Sequence, residues 1–225
     1  FAECIRDGRF YNDTLCIFPP DLGTPYVTQT MEYNSSGKEN QVHTPSFTYF
    51  GFRYARVRGI TKEEAIPELL TFTLINTQMK VRGDFSCSDE TLNSLQKMTR
   101  ASTYSNMLHI PTDCPHREKS GWTGDASLSA VHMLLNLEPD EMLLEWLRNV
   151  ARVMNNEGAM PGIIPAADWG YYEWNGPAWE SALVELPYRF YELRGDLRAA
   201  KITLSSMLRY ITYTTTKRDK FGLVH

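Results

Sequence analysis

The 225 residues contain no long apolar run: no stretch approaches the roughly 18 consecutive apolar residues that a bilayer-spanning helix needs. Charge of one sign is also lacking. A formal net charge of -4, with 22% charged residues, gives no electrostatic basis for binding nucleic acid or an anionic membrane surface. Cysteine is scarce. Cys4, Cys16, Cys87 and Cys114 show neither a CxxC pair nor any zinc-ligand spacing. Cys4 and Cys16 could close a loop, and buried reduced thiols account for them equally well. The chain opens Phe1-Ala-Glu-Cys, with no initiator Met and no signal peptide. The compartment stays open on that ground, because the first residue need not be the protein's true start. The sequons Asn12-Asp-Thr14 and Asn34-Ser-Ser36 matter only in a secreted eukaryotic protein. What remains is an ordinary globular composition, 42% hydrophobic, long enough for one large domain or two small ones.

The two parts of the chain differ in periodicity. Residues 1–80 read as β. Phe47 to Arg58 is aromatic and β-branched, with a bulge near Tyr54 where alternation slips, and Leu69 to Thr77 is a second strand carrying Leu70, Phe72 and Leu74 on one face. Residues 19–46, rich in Pro, Gly, Ser, Asn and Thr, read as loops between short strands. The region resembles the end of a β-sandwich. From residue 88 the period becomes helical. Ser88 is placed to cap a first helix carrying Leu92, Leu95, Met98 and Ala101. A second helix opens after Asp125 with Leu128, Val131 and Leu135. A third starts with Pro139 at its first position and carries Leu143, Trp146, Leu147, Val150, Val153 and Met154. A fourth spans Trp179 to Arg194 and stops at Gly195. A fifth follows Asp196 with Leu204, Met207, Leu208 and Ile211. The domain division expected is 1–80 and 84–225.

Two long aromatic loops interrupt the helices, Met107 to Gly124 and Gly158 to Ala178, and loops of such length in compact helical domains carry function or are disordered. Trp122, Trp169, Tyr171, Tyr172 and Trp174 argue against disorder. The first loop places Asp113, Glu118 and Asp125 beside Trp122 on a path constrained by Pro111, Pro115, Gly121 and Gly124. An indole offers a flat apolar face to a pyranose, and carboxylates accept hydrogen bonds from its hydroxyls. A Glu against apolar walls or another carboxylate is suited to general-acid work. Plainer readings stand beside this. Asp125 could be a helix N-cap, Glu118 could pair with Arg117 or Lys119, and Trp122 could belong to the core. Asp113, Cys114 and His116 match no metal-ligand spacing, and Cys114 with His116 makes no catalytic dyad. Residue types and spacing thus reach an acidic, aromatic cleft suited to carbohydrate, with no cofactor and no metal expected.

The run Asp113-Cys-Pro-His-Arg-Glu-Lys-Ser-Gly-Trp-Thr-Gly-Asp125 resembles the signature of α-L-rhamnosidases of glycoside hydrolase family 78. The resemblance covers roughly residues 45–225: it continues through the aromatic segment at Phe47, the entry at Phe85, Gly158 to Pro165, and Trp179 to Tyr188 with Gly195-Asp196. It implies a β-sandwich end followed by the first part of an (α/α)6 barrel. It also implies hydrolysis of terminal α-L-rhamnosides with inversion. Carried over by position, Glu118 takes the general-acid place, Asp113 and Asp125 the places that grip rhamnose hydroxyls, and Trp179 a place in the sugar-binding wall. Trp122 lies inside the signature, facing either sugar or core. Many members have Gln at the place of His116 and Arg at that of Lys119. Many also have Trp-Gly-Asp where this chain has Trp179-Glu-Ser181, which puts any role at 180–181 in question. One step along a helix turns a side chain by about 100°.

An inverting reaction needs a second carboxylate ~6.5–9.5 Å from the acid to activate water. The resemblance places that base beyond His225, in a barrel of twelve helices of which about five are visible here. The isolated chain is therefore expected to be inactive on its own. Its expected ligand is a rhamnose-containing glycoside. Two other readings are another glycosidase or phosphorylase on the same barrel, and a non-catalytic carbohydrate-binding protein.

Overall fold

The computed structural model describes residues 1–12, 15, 29–166 and 176–224. Cys16, Asp13 and Thr14 of the first sequon, and Trp169, Tyr171, Tyr172 and Trp174 lie outside them. The chain divides into two compact units: Phe1–Ile75 with Cys114–Lys119, and Asn76–Asp113 with Ser120–His225.

The second unit is helical. Its elements are α1 (Glu90–Asn106), the short hairpin β3 (Met107–Leu108) and β4 (Ile110–Pro111), α2 (Thr123–Asn136), α3 (Asp140–Arg152), α4 (Gly176–Glu180), α5 (Ala182–Arg194) and α6 (Arg198–Thr216). The strongest amphipathic pattern gives the best-buried helix: Leu143, Trp146, Leu147 and Val150 of α3 are all in the core. They meet Met133 and Leu134 of α2 and Leu183, Leu186 and Phe190 of α5. Arg194, at the end of α5, fastens this core from one side. It pairs with Asp140 at 3.2 Å and donates to the carbonyls of Leu134 and Leu137, which α2's end leaves without helical partners.

Several expectations are corrected. Asp89, not Ser88, caps α1, because its carboxylate accepts from the Thr91 and Leu92 amides. Pro139 sits at the cap of α3, one residue outside it, and Asp140 is first. The expected fourth helix is two. Ser181 separates α4 from α5, its hydroxyl turned back onto the Ala178 carbonyl. Gly195 does terminate α5, at φ 65°, with its amide and that of Asp196 returned to the carbonyls of Tyr191 and Phe190. The apolar faces chosen for α1, α2 and α6 are also corrected. Leu92, Leu95 and Met98, then Leu128 (86% exposed), Val131 and Leu135, then Leu204, Leu208 and Ile211 are all exposed. The buried faces instead combine Ala126 and Ala130 with Met133 and Leu134 in α2, and Ala199, Thr203 and Ser206 with Tyr210 and Tyr213 in α6. Small side chains let neighbouring helices approach closely, so in this chain large apolar residues such as Leu128 and Leu204 lie outside the core.

The first unit has little regular structure. β1 (Cys4–Arg6) pairs antiparallel with β2 (Arg9–Tyr11), and Ala2 makes an isolated bridge to Tyr54. Neither expected strand, 47–58 or 69–77, forms a ladder; Pro67–Leu69 is instead a turn of 3-10 helix. Leu70, Phe72 and Leu74 are exposed. The reason is pairing: an extended segment becomes a strand only when neighbours accept its backbone bonds, and among the described residues of this unit only Ala2, at Arg53 and Tyr54, does so here. Ring packing holds the segment instead, with Phe1 stacked on Phe50 at 4.7 Å and Phe52 edge-on to Phe72 at 5.3 Å.

Candidate functional site

In the helical unit, the signature loop is pinned from three directions. The Asp113 amide donates to the Ser120 carbonyl, and the Ser120 amide donates to the Asp113 carboxylate, both at 3.0 Å. Asp113 is thus a clasp as well as a candidate ligand. Next, the Ile164 amide donates to the Gly121 carbonyl at 2.8 Å, and the Thr123 amide to the Gly162 carbonyl at 2.8 Å. A Cβ on Gly121 would collide with the Ile164 carbonyl at 2.1 Å, so glycine there is a condition of this seam. The Trp146 indole N–H donates to the same Ile164 carbonyl at 2.9 Å, tying the seam to the core.

Trp122 is the N-cap of α2 and Asp125 its third residue, so Asp125 is not the cap. Its carboxylate lies in the first turn, where the helix dipole favours negative charge. Asp113 and Asp125 line one open cleft of about 410 Å³, walled also by Ser102, Asn106, Ser129 and His132. Trp122 and Trp179 meet edge to face, ring centres 6.5 Å apart. The structure therefore gathers Asp113 with Asp125, and Trp122 with Trp179. The polar cleft wall of Ser102, Asn106 and His132 escaped sequence reasoning because polar residues on helices read as solvent-facing. Its signal was their spacing: Ser102 and Asn106 stand four apart on one face of α1. Burial lowers the pKa of His132, and its Nε2 lies 2.8 Å from the Thr103 hydroxyl.

Glu180 is 1% exposed and points into the core, so it offers no carboxylate at the surface in place of the shifted acidic residue. Burial raises its pKa to about 7, against a smaller opposing effect of the Tyr210 hydroxyl. Neither Glu180 Oε2 nor the Tyr210 hydroxyl completes a hydrogen bond of good geometry.

Glu118 belongs to the first unit. Its carboxylate lies 3.2 Å from Arg117, the pairing named as the plain alternative, and its amide donates to Cys114 Sγ at 3.2 Å. Lys119 turns elsewhere: its ammonium donates to the Tyr49 carbonyl at 2.6 Å and lies over the Tyr49 ring, and burial lowers its pKa. A Cβ on Gly51 would meet the Pro115 carbonyl carbon and the His116 amide at 2.8–2.9 Å. The aromatic segment expected as a strand is thus the bed on which residues 114–119 lie. Cys4 and Cys87 are free thiols. Among the described residues no cluster of three His, Cys, Asp or Glu side chains is arranged to hold a metal ion.

Residues 80–224 match the bacterial α-L-rhamnosidase six-hairpin glycosidase domain. The chain belongs to the bacterial α-L-rhamnosidase family. Residues 1–76 match that family's concanavalin-like domain. The chain is 26% identical, over 97% of its length, to an α-L-rhamnosidase of Formosa agariphila. It is 28% identical, over 96% of its length, to one of Streptomyces avermitilis. These alignments cover 23% and 20% of the two relatives, so the chain spans about a quarter or less of either. Among solved structures, the α-L-rhamnosidase of Aspergillus terreus superposes with a TM-score of 0.84 at 27% identity, over 100% of this chain and 25% of that one. The Streptomyces avermitilis enzyme complexed with L-rhamnose superposes with a TM-score of 0.61 at 27% identity, over 64% of this chain and 14% of that one.

Proposed function

We propose that this chain is part of an enzyme that hydrolyses terminal α-L-rhamnosides with inversion, and that Glu118 is its general acid. The observation that carries the reading is the Asp113–Asp125 signature, lying inside the stretch that belongs to the rhamnosidase glycosidase domain. Glu118, as a carboxylic acid, gives its proton to the departing glycosidic oxygen. Asp113 and Asp125 accept hydrogen bonds from rhamnose hydroxyls, and Trp122 and Trp179 supply an apolar wall. The second carboxylate, which stands ~6.5–9.5 Å from the acid in an inverting site and activates the water between them, comes from the part of the relatives that this chain does not span. The parent fold is an (α/α)6 barrel preceded by a β-sandwich. The apolar residues left exposed on α1, α2 and α6 support the barrel, since such faces are buried when further helices pack on them. The exposed row Leu70, Phe72 and Leu74 supports the sandwich in the same way.

The test is Glu118→Gln in the full-length protein, assayed on an aryl α-L-rhamnoside. We expect kcat to fall at least ~10²-fold, the usual size of general-acid catalysis, with the loss smallest for the best leaving groups. An unchanged kcat removes Glu118 from the mechanism.

A further inference from the structure

Gly124 is buried in the first turn of α2, directly before Asp125, and its φ is not in the left-handed region. Backbone conformation therefore does not require glycine there. Space does. A Cβ on Gly124 would stand 2.7 Å from Cδ2 and Cε2 of Trp179 and 2.8 Å from its Cγ. Those atoms are the root and middle of the indole. Cγ is one bond from the Trp179 Cβ, so rotating the ring does not clear the clash; the whole side chain has to leave. Trp179 has little freedom to do so on its other flank. The next residue, Glu180, is sunk in the core at 1% exposure, and Ser181 is bonded back through its amide to Pro177 at 2.9 Å. The indole thus lies against the bare backbone of α2, edge-on to Trp122, with 37% of Trp179 still open to solvent.

We propose that Gly124 is a positioning residue: its missing side chain is the seat that fixes the Trp179 indole against the turn bearing Asp125. Ring and carboxylate are then held in one relation, a flat apolar face beside a hydrogen-bond acceptor. A deoxyhexose with one apolar face and adjacent hydroxyls needs that pairing. The ligand half of this proposal rests on the rhamnoside reading above. The seating half does not.

The experiment is a double-mutant cycle in the full-length protein with Gly124→Ala, Trp179→Ala and both together. Four quantities are read: KM and kcat on an aryl α-L-rhamnoside, L-rhamnose affinity by calorimetry, and the Trp179 contribution to emission, taken as the difference between each protein and its Trp179→Ala counterpart. With Trp179 present, Gly124→Ala should weaken rhamnose binding and raise KM at least about tenfold, since a misplacement near 1 Å is costly in a preorganised site. It should also shift the Trp179 emission to longer wavelength. With Trp179 removed, the same substitution should change binding by less than about twofold. A loss of equal size in both backgrounds overturns the proposal, as does an unshifted emission. Should Gly124→Ala alone fail to fold, the double variant is expected to recover folding; continued failure there also overturns it. Wild-type protein that neither binds L-rhamnose nor cleaves the rhamnoside sinks the reading under Proposed function, while the emission cycle still decides the seating.

Discussion

The two units of the chain meet the same physical demand in opposite ways. In Asn76–Asp113 with Ser120–His225, each helix satisfies most of its own backbone and needs only a face to bury, so α2, α3, α5 and α6 share a core with Trp146 and Phe190 fully enclosed. In Phe1–Ile75 with Cys114–Lys119, the extended segments cannot satisfy themselves. Two three-residue strands and one isolated bridge are the regular pairing among the described residues, and aromatic contacts and cation–ring pairs such as Arg56 over Phe10 hold the rest. A helix brings its hydrogen bonds with it, and a strand borrows them.

Four substitutions sharpen or break that contrast. The largest effect belongs to Trp146→Ala, which removes a fully buried indole and its bond to the Ile164 carbonyl. It should cost about 3–5 kcal/mol by denaturant unfolding followed through helical circular dichroism. A loss below about 1 kcal/mol would mean the helical core is not the stable part. Next is Glu180→Gln. The folded carboxyl is raised to about 7 from an ordinary value of 4.5. The folded state therefore binds a proton that the unfolded state releases. The stabilisation is fully present below about pH 4.5 and is lost as pH climbs through about 7. Gln abolishes that slope, and at pH 8 the variant should exceed the wild type by up to about 3 kcal/mol. Parallel stability–pH curves for the two proteins would refute it. Asp89→Ala, which removes the cap of α1, should cost about 1 kcal/mol, read from the same unfolding curves. Smallest is Leu74→Thr on the unpaired segment of the first unit, expected within about 0.5 kcal/mol. A larger loss would show that this segment is packed as tightly as the helices.

Sequence reasoning placed the helical region well, and α3 most fully, because Leu143, Trp146, Leu147 and Val150 are large, apolar and on one stripe. It chose the outward faces of α1, α2 and α6, because Leu128 and Leu204 outweigh Ala130 and Thr203 on any hydrophobicity scale while the smaller residues make the close contacts. It read β from Phe47 to Arg58, where composition is right but, among the described residues, strand-like pairing is confined to the bridge between Ala2 and Tyr54. At the candidate site, Asp113, Asp125 and Trp122 stood out by type, and Trp179 only through the family resemblance. The collisions that Gly121, Gly124 and Gly51 avoid did not, since they depend on backbone brought in from distant residues.

The reciprocal pair of bonds between Asp113 and Ser120 closes segment 114–119 into a near-ring whose two ends leave the helical unit side by side. Anything spliced between those ends is invisible to the register of α2. Such a clasp separates two kinds of constraint: residues 114–119 answer to the chemistry proposed for Glu118, and the start of α2 answers only to the helical frame.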